Sequence, residues 1–206
     1  MDSLQPKWWI PFCGRPNAGK SSLISALSGK KLRTGRSPGT TRRFSVMPIF
    51  RDIAFLDLPG FGRVSGRSKR FAENTKTKLI KKLETNSSRF LCSVLVIDLT
   101  TFPLACESLE RKGIIPLDIE FANFLLELTS NQDPPGSVII SANKIDRLNS
   151  TELKNNLSLL AEKMPSEVQI IPISCKSKIG LRKIRNKLKN EIITKLGPQY
   201  QQFLSH

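Results

Sequence analysis

Residues Gly14 to Ser22 read GRPNAGKSS, and the pattern G-x-x-x-x-G-K-S in that stretch decides how the rest of the chain is read. It is the pattern of a phosphate-binding P-loop. Gly14 and Gly19 permit backbone conformations that a side chain resists, and they let the main chain press against a phosphate. Arg15, Pro16, Asn17 and Ala18 form the loop between them. The amides from Asn17 to Ser21 can turn inward as a nest of donors at a helix N-terminus, with Ser22 continuing the helix. Lys20 supplies a positive charge between the β- and γ-phosphates, and the Ser21 hydroxyl is placed to coordinate Mg²⁺. The pattern also arises by chance, so its flanks matter. Before it runs the apolar stretch Trp8 to Cys13, WWIPFC, and after it Leu23 to Leu27, LISAL, at helical spacing. That strand–loop–helix order is the context the motif requires.

Composition narrows the class. The chain has 206 residues, 39% hydrophobic and 24% charged, which suits one globular domain with its own core. The longest apolar run, Phe90 to Ile97, is interrupted by Ser93 and is far too short to cross a bilayer. The start, MDSLQPKWW, lacks the basic-then-apolar pattern of an export signal, so a cytoplasmic protein with no membrane partner is expected. Four scattered cysteines, Cys13, Cys92, Cys106 and Cys175, form no C-x-x-C and fit a reducing compartment without a zinc site. The only histidine is His206, which argues against histidine catalysis. The informative quantity is charge: 33 Lys and Arg against 17 Asp and Glu leave a net +16. A basic surface concentrates polyanions and gains affinity by counterion release, so a nucleic-acid partner is favoured over generally solvated basic helices.

Downstream, Gly29 to Arg43, GKKLRTGRSPGTTRR, has no apolar period and reads as a mobile loop. In a nucleotide switch this position holds the segment that the γ-phosphate orders. Thr40 or Thr41, after Gly39, could add a hydroxyl to Mg²⁺ and an amide to the γ-phosphate. Phe44–Phe50 and Asp52–Leu56 read as an antiparallel hairpin turning at Arg51-Asp52. Its second strand leads into Asp57-Leu58-Pro59-Gly60, an aliphatic strand ending in a carboxylate that would face the metal through water. Gly60 can donate its amide to the γ-phosphate and act as a hinge. A second basic loop, Phe61 to Ser68, precedes a lysine-rich helix from about Lys69 to Thr85, with Phe71, Leu79, Ile80 and Leu83 on its buried side. Phe90 to Leu99 reads as a central strand. Asp98 at its end reads as a cap, with a second metal carboxylate as the alternative. Thr100 to Ile115 reads as irregular. Helix Pro116–Thr129, breaker Asn131–Gly136 and strand Ser137–Ala142 follow.

That strand delivers Asn143-Lys144-Ile145-Asp146. An Asp carboxylate here can accept two hydrogen bonds from the N1–H and N2–H₂ edge of guanine, which adenine does not present. Such a bidentate pair contributes roughly 1–3 kcal/mol of base discrimination. Lys144 can lie its stem over the base, and Asn143 can tie the loop together or reach N7. Helix Ser150–Lys163 and strand Gln169–Ile173 lead to Ser174-Cys175-Lys176, where amides could meet the guanine O6 and Lys176 could cover the other face of the base. The last helix spans about 179–196. Leu181, Ile184, Leu188 and Ile192 face inward, and Arg182, Lys183, Arg185, Lys187 and Lys189 are expected in solvent.

With these motifs quoted, the chain resembles a TRAFAC-class P-loop GTPase and, within that class, the EngB (YihA/YsxC) family of archaeal type, from about Trp8 to Leu196. GRPNAGKSS is similar to that family's GRSNVGKSS, and SPGTTR to its PGRTQ region, which points to Thr41 as the Mg²⁺ threonine. DLPGFG resembles DLPGYG, NKID stands where the family has TKAD, and SCKSKIGL resembles its S-S-x-K-x-x-G-[IL]. GTT and NKID lean toward the related Era and EngA. The resemblance implies an α/β, three-layer, doubly wound P-loop GTPase fold. Its six-stranded, mostly parallel sheet would carry one antiparallel edge strand and form a single GTP-binding domain over residues 1–206. It also implies slow Mg²⁺-dependent GTP hydrolysis, a role in assembly of the large ribosomal subunit, and a link to cell division and septation.

On this reading Lys20, Thr41 and Gly60 carry the catalytic contacts, and Ser21, Thr41 and, through water, Asp57 hold Mg²⁺. Phe61 stands where many GTPases place a Gln that orients the attacking water, so turnover without a partner or cation is expected to be slow. Asn17 has two readings of equal standing, a K⁺ site near the phosphates and a brace within the loop. Lys30, Lys31, Arg33, Arg36, Arg42 and Arg43 lie in the first switch loop, and Arg63, Arg67, Lys69 and Arg70 in or beside the second. GTP would therefore reshape a positive surface, through which a monomer could contact the large ribosomal subunit or an rRNA precursor. The alternative is a signalling GTPase that binds a protein effector.

Overall fold

In a computed structural model, residues 6–30, 44–62 and 69–203 are described, the side chains of residues 69, 71 and 72 excepted. The six strands are β1 Trp8–Cys13, β2 Ser45–Phe50, β3 Ile53–Asp57, β4 Cys92–Asp98, β5 Ser137–Asn143 and β6 Gln169–Pro172. They form one sheet in the order β2-β3-β1-β4-β5-β6. Every neighbouring pair is parallel except the edge pair β2–β3, the hairpin read from the sequence. β1, β3 and β4 are almost continuously apolar because both of their faces are covered. From β1 the chain moves to one side to form β3 and to the other to form β4. The crevice beyond the C-terminal ends of these strands is therefore the topological switch point, where an α/β sheet places its ligand.

The helices are α1 Lys20–Ser28, α2 Lys69–Asn86, α3 Phe102–Glu110, α4 Leu117–Ser130, α5 Ser150–Lys163 and α6 Leu181–Leu196. They divide between two cores, one on each face of the sheet. Leu79 and Leu83 of α2, Phe121 and Leu125 of α4 and Leu160 of α5 pack on one face. Leu23, Ile24 and Leu27 of α1 pack with Ile184, Leu188 and Ile192 of α6 on the other. α5 begins with a reciprocal capping box between Asn149 and Glu152.

The structure corrects the reading of Thr100–Ile115 as irregular, because that segment contains α3. Pro103 resembles a breaker but lies in the first helical turn, where its missing N–H removes no intrahelical bond. Only Phe102 and Cys106 are buried, and Leu104 is 68% exposed, so the apolar period is too short to recognise. α6 keeps the inward set that the spacing predicts, while Arg185, Lys187 and Lys189 are half-buried rather than fully in solvent. Arg185 donates to the Ala26 carbonyl at 3.0 Å, and Lys187 pairs with Glu191 at 2.6 Å. After Gly197 the chain returns across the β2–β3 hairpin. There Phe203 is fully buried against Phe50 and Phe55, and the Tyr200 hydroxyl donates to Asp52 at 2.7 Å.

Candidate functional site

The P-loop lies on the end of β4 so closely that a Cβ on Gly14 would stand 2.2 Å from the Val96 carbonyl oxygen. Gly14 has φ +145°, which is the second reason only glycine suits this position. Asn17 and Gly19 also take positive φ, and that reversal turns the chain into α1. Asn17 is exposed at the outer rim. Lys20 is buried, and its Nζ donates to the carbonyls of Gly14 at 3.1 Å and Arg15 at 2.9 Å. Burial lowers its pKa to about 8, against the opposing pull of Asp57 and Cys13.

Asp57 ends β3 beneath this loop. Its Oδ2 accepts from the Ser21 hydroxyl at 2.8 Å, and its buried Oδ1 has no hydrogen-bond partner among the described residues. Burial raises its pKa, opposed by the Ser21 bond and by Lys20. A hydroxyl beside a carboxylate with an orphaned oxygen is a donor set that fits Mg²⁺. This ion takes one or two protein ligands and completes its shell with water and phosphate. No cluster of three or more His, Cys, Asp or Glu residues suited to a metal occurs among the described residues. Gly39, Thr40 and Thr41 lie outside the described residues.

Gly60 is pressed against the P-loop: a Cβ there would be 2.6 Å from the Pro16 nitrogen and 2.9 Å from its Cα. The next amide, Phe61 N–H, donates to the Gly14 carbonyl at 3.3 Å. The Phe61 ring is fully buried and stacks on Phe121 of α4, with centroids 4.0 Å apart at 13°. The position that carries a water-orienting Gln in many GTPases is thus occupied by a core side chain.

The second half of the site is held by one side chain. Asn143, buried at the end of β5, donates its Nδ2 to the Ala18 carbonyl at 2.9 Å and accepts at Oδ1 from the Cys175 amide at 3.4 Å. It therefore links the P-loop to the loop after β6. That loop holds Asp146 through the Ser174 hydroxyl, 2.6 Å from Oδ1, and Ser174 Oγ also accepts from the Ser177 amide at 3.0 Å. Asp146 itself is exposed, as a carboxylate must be to meet a base edge. Lys176 is also exposed, and Cys175 is half-buried with its thiol pKa pushed up to about 11 by burial and Asp146.

Two ion pairs were not legible in the sequence. Lys144 Nζ lies 2.5 Å from Asp98 Oδ2, and Asp98 Oδ1 accepts from the Thr100 hydroxyl at 2.6 Å and its amide at 3.1 Å. Asp98 is thus the loop cap that the sequence suggested, and it also positions Lys144. Arg15 Nε lies 2.7 Å from Asp118, a 3% exposed carboxylate in the first turn of α4. Burial raises the Asp118 pKa and the Arg15 guanidinium opposes that shift. In the sequence Arg15 reads only as a phosphate-loop residue. No spacing signal connects it to a helix a hundred positions away.

Comparison with known proteins gives a consistent answer. A family model described as "50S ribosome-binding GTPase" matches residues 10–144. A curated relative from Archaeoglobus fulgidus named "Probable GTP-binding protein EngB" is 36% identical over 188 residues, covering 90% of this chain and 92% of its own. One of the same name from Pyrococcus horikoshii is 35% identical over 190 residues, covering 90% and 84%. The crystal structure of a probable GTP-binding protein engB superposes with a TM-score of 0.77 at 34% identity, over 90% of this chain and 99% of that one.

Proposed function

Since this chain belongs to the EngB family of GTP-binding proteins and is a GTPase, we propose that it is an Mg²⁺-dependent GTP/GDP switch acting in assembly of the large ribosomal subunit. The observation that carries the nucleotide half is the Asn143 bridge. One buried side chain fixes the phosphate loop and the Asp146 loop in a common frame, so base and phosphate are recognised together. In this reading Asp146 selects guanine, Asn143, Ser174 and Cys175 shape its loop, and Lys144 and Lys176 flank the base. Gly14, Arg15, Pro16, Asn17, Ala18, Gly19, Ser21 and Ser22 enclose the phosphates. Lys20 neutralises charge on the β–γ bridge. Ser21 and Thr41, with Asp57 through water, would hold Mg²⁺, which would withdraw charge from the transferred phosphoryl group. Gly39, Thr40, Thr41 and Gly60 respond to the γ-phosphate.

Phe61, committed to the core, puts no water-orienting side chain at that position, which supports low intrinsic turnover. Exposed Asn17 offers K⁺ a ligand beside the phosphates. A faster GTPase rate in KCl than in NaCl is expected, and equal rates would remove the potassium role.

The ribosomal half rests on the net charge of +16 and on the family description. Residues 1–206 act as one GTP-binding domain, a cytoplasmic monomer, with the basic loops on either side of the nucleotide meeting rRNA. No helix of the described residues is long and apolar enough to cross a membrane. The division link implied by the resemblance attaches to no residue of this site. Co-sedimentation with ribosomal subunits in a non-hydrolysable GTP analogue and in GDP, at two salt concentrations, tests the proposal. Binding to the large subunit that needs the GTP analogue and survives moderate salt is expected. Binding that ignores the nucleotide and disappears with salt would leave only nonspecific polyanion affinity and move a protein effector forward.

A further inference from the structure

We propose that the solvent face of α2 is the principal RNA-backbone contact, built from Arg70, Asn74, Lys78, Lys81 and Thr85. This inference rests on the RNA-binding part of the proposed function and gives it a surface. The five residues follow one another at helical spacing and are all exposed, while Leu79 and Leu83 on the other side are fully buried. Arg70 to Lys81 spans about 16 Å of helix axis. Three cations and the Asn74 amide thus follow one line, the composition that phosphate and sugar contacts use, and Thr85, whose hydroxyl donates to the Lys81 carbonyl at 2.7 Å, closes its end. Glu73 and Glu84 lie along one border of the stripe and do not interrupt it.

Attachment to the site, more than charge availability, separates α2 from the other basic helix, where Arg182 and Lys183 are also exposed but several other cations are engaged. On α6, Arg185 is bonded to the Ala26 carbonyl, Lys187 is paired with Glu191, and Lys195 donates to Gln132 at 2.8 Å. Arg70, Lys78 and Lys81 have no ion pair or hydrogen bond from their side chains among the described residues. Lys76 of α2 pairs with Glu120 at 2.9 Å and ties the helix to α4. α4 in turn carries both Phe121 against Phe61 and Asp118 against Arg15. α2 also begins directly after the loop that follows Gly60. The free cations therefore sit on the element attached, at its start and along its side, to the parts of the site that touch phosphate.

The test uses the full chain and a labelled single-stranded RNA, titrated across a series of salt concentrations. The variant Arg70→Gln/Lys78→Gln/Lys81→Gln is compared with a control that loses the same charge elsewhere, Lys154→Gln/Arg182→Gln/Lys183→Gln, all exposed positions. Each lost phosphate contact lowers the slope of log K against log salt by about 0.7 for single strands, so the α2 variant loses about 2. The control should stay near wild type, and both variants should keep the wild-type GTPase rate. Equal losses in the two variants would overturn the assignment to α2 while leaving RNA binding in place. A wild-type protein that does not bind the RNA would overturn the RNA-binding reading itself.

Discussion

Lys20→Met will bind GTP roughly a hundredfold or more weakly than wild type and will nevertheless be the more stable of the two when both are free of nucleotide. The wild-type ammonium is buried and held by two backbone carbonyls. Its pKa falls from 10.5 to about 8, chiefly through burial. At neutral pH a shift of that size corresponds to a cost of about 3 kcal/mol for keeping the buried lysine charged. Methionine keeps most of the apolar stem and removes the charge, at the expense of two carbonyls losing their donor, about 1 kcal/mol each. A net gain of about 1 kcal/mol is expected, read as a higher urea midpoint. The pH dependence identifies the cause. Between about 8 and 10.5 the unfolded chain binds the Lys20 proton and the folded chain does not, so wild-type stability from this group rises with pH across that window. The variant lacks that rise. With triphosphate present the order reverses, because a charge-assisted phosphate contact is lost and affinity falls roughly a hundredfold or more. A variant less stable than wild type without nucleotide would show that Lys20 is a structural cation, not one held ready for phosphate.

Asp146→Asn will exchange guanine for xanthine. The Asp146 carboxylate is exposed and oriented by the Ser174 hydroxyl at 2.6 Å. As an acceptor-only group it matches the two N–H donors of guanine. An amide offers one donor and one acceptor, which suits the 2-carbonyl and N–H of xanthine. GDP affinity should fall by about 1–3 kcal/mol, up to about a hundredfold, and xanthosine diphosphate should gain by a similar amount. The fold should be unaffected, since Ser174 can donate equally to an amide oxygen. Competition against a labelled guanine nucleotide measures both changes. Unchanged GDP affinity would remove Asp146 from base recognition.

Much of this site was legible because its chemistry is local in sequence. Gly14, Lys20 and Ser21 fall within one loop, and Asn143 and Asp146 within one strand end. The strands were legible because a sheet covered on both faces demands unbroken apolar runs such as Val94 to Ile97. What was not legible depends on distance or on shallow burial. α3 buries too few side chains to display a helical period. Asp98 and Asp118 are ordinary acids in sequence, and only the fold brings them to Lys144 and Arg15. Phe61 could be read as a missing Gln, but its partner Phe121 lies across the core, so its commitment to packing emerges only in three dimensions. The C-terminal residues Tyr200 and Phe203 carried no motif, yet they clamp the hairpin that follows the first switch loop.

The central claim is that a single frame, joined by Asn143, reads phosphate and guanine together. The most direct test is equilibrium competition of GDP and ADP for the wild-type protein at saturating Mg²⁺. GDP should bind tighter than ADP by roughly tenfold to a hundredfold or more. Equal affinities would mean that the phosphate loop binds any nucleoside diphosphate and that the Asn143–Asp146 loop does not read the base.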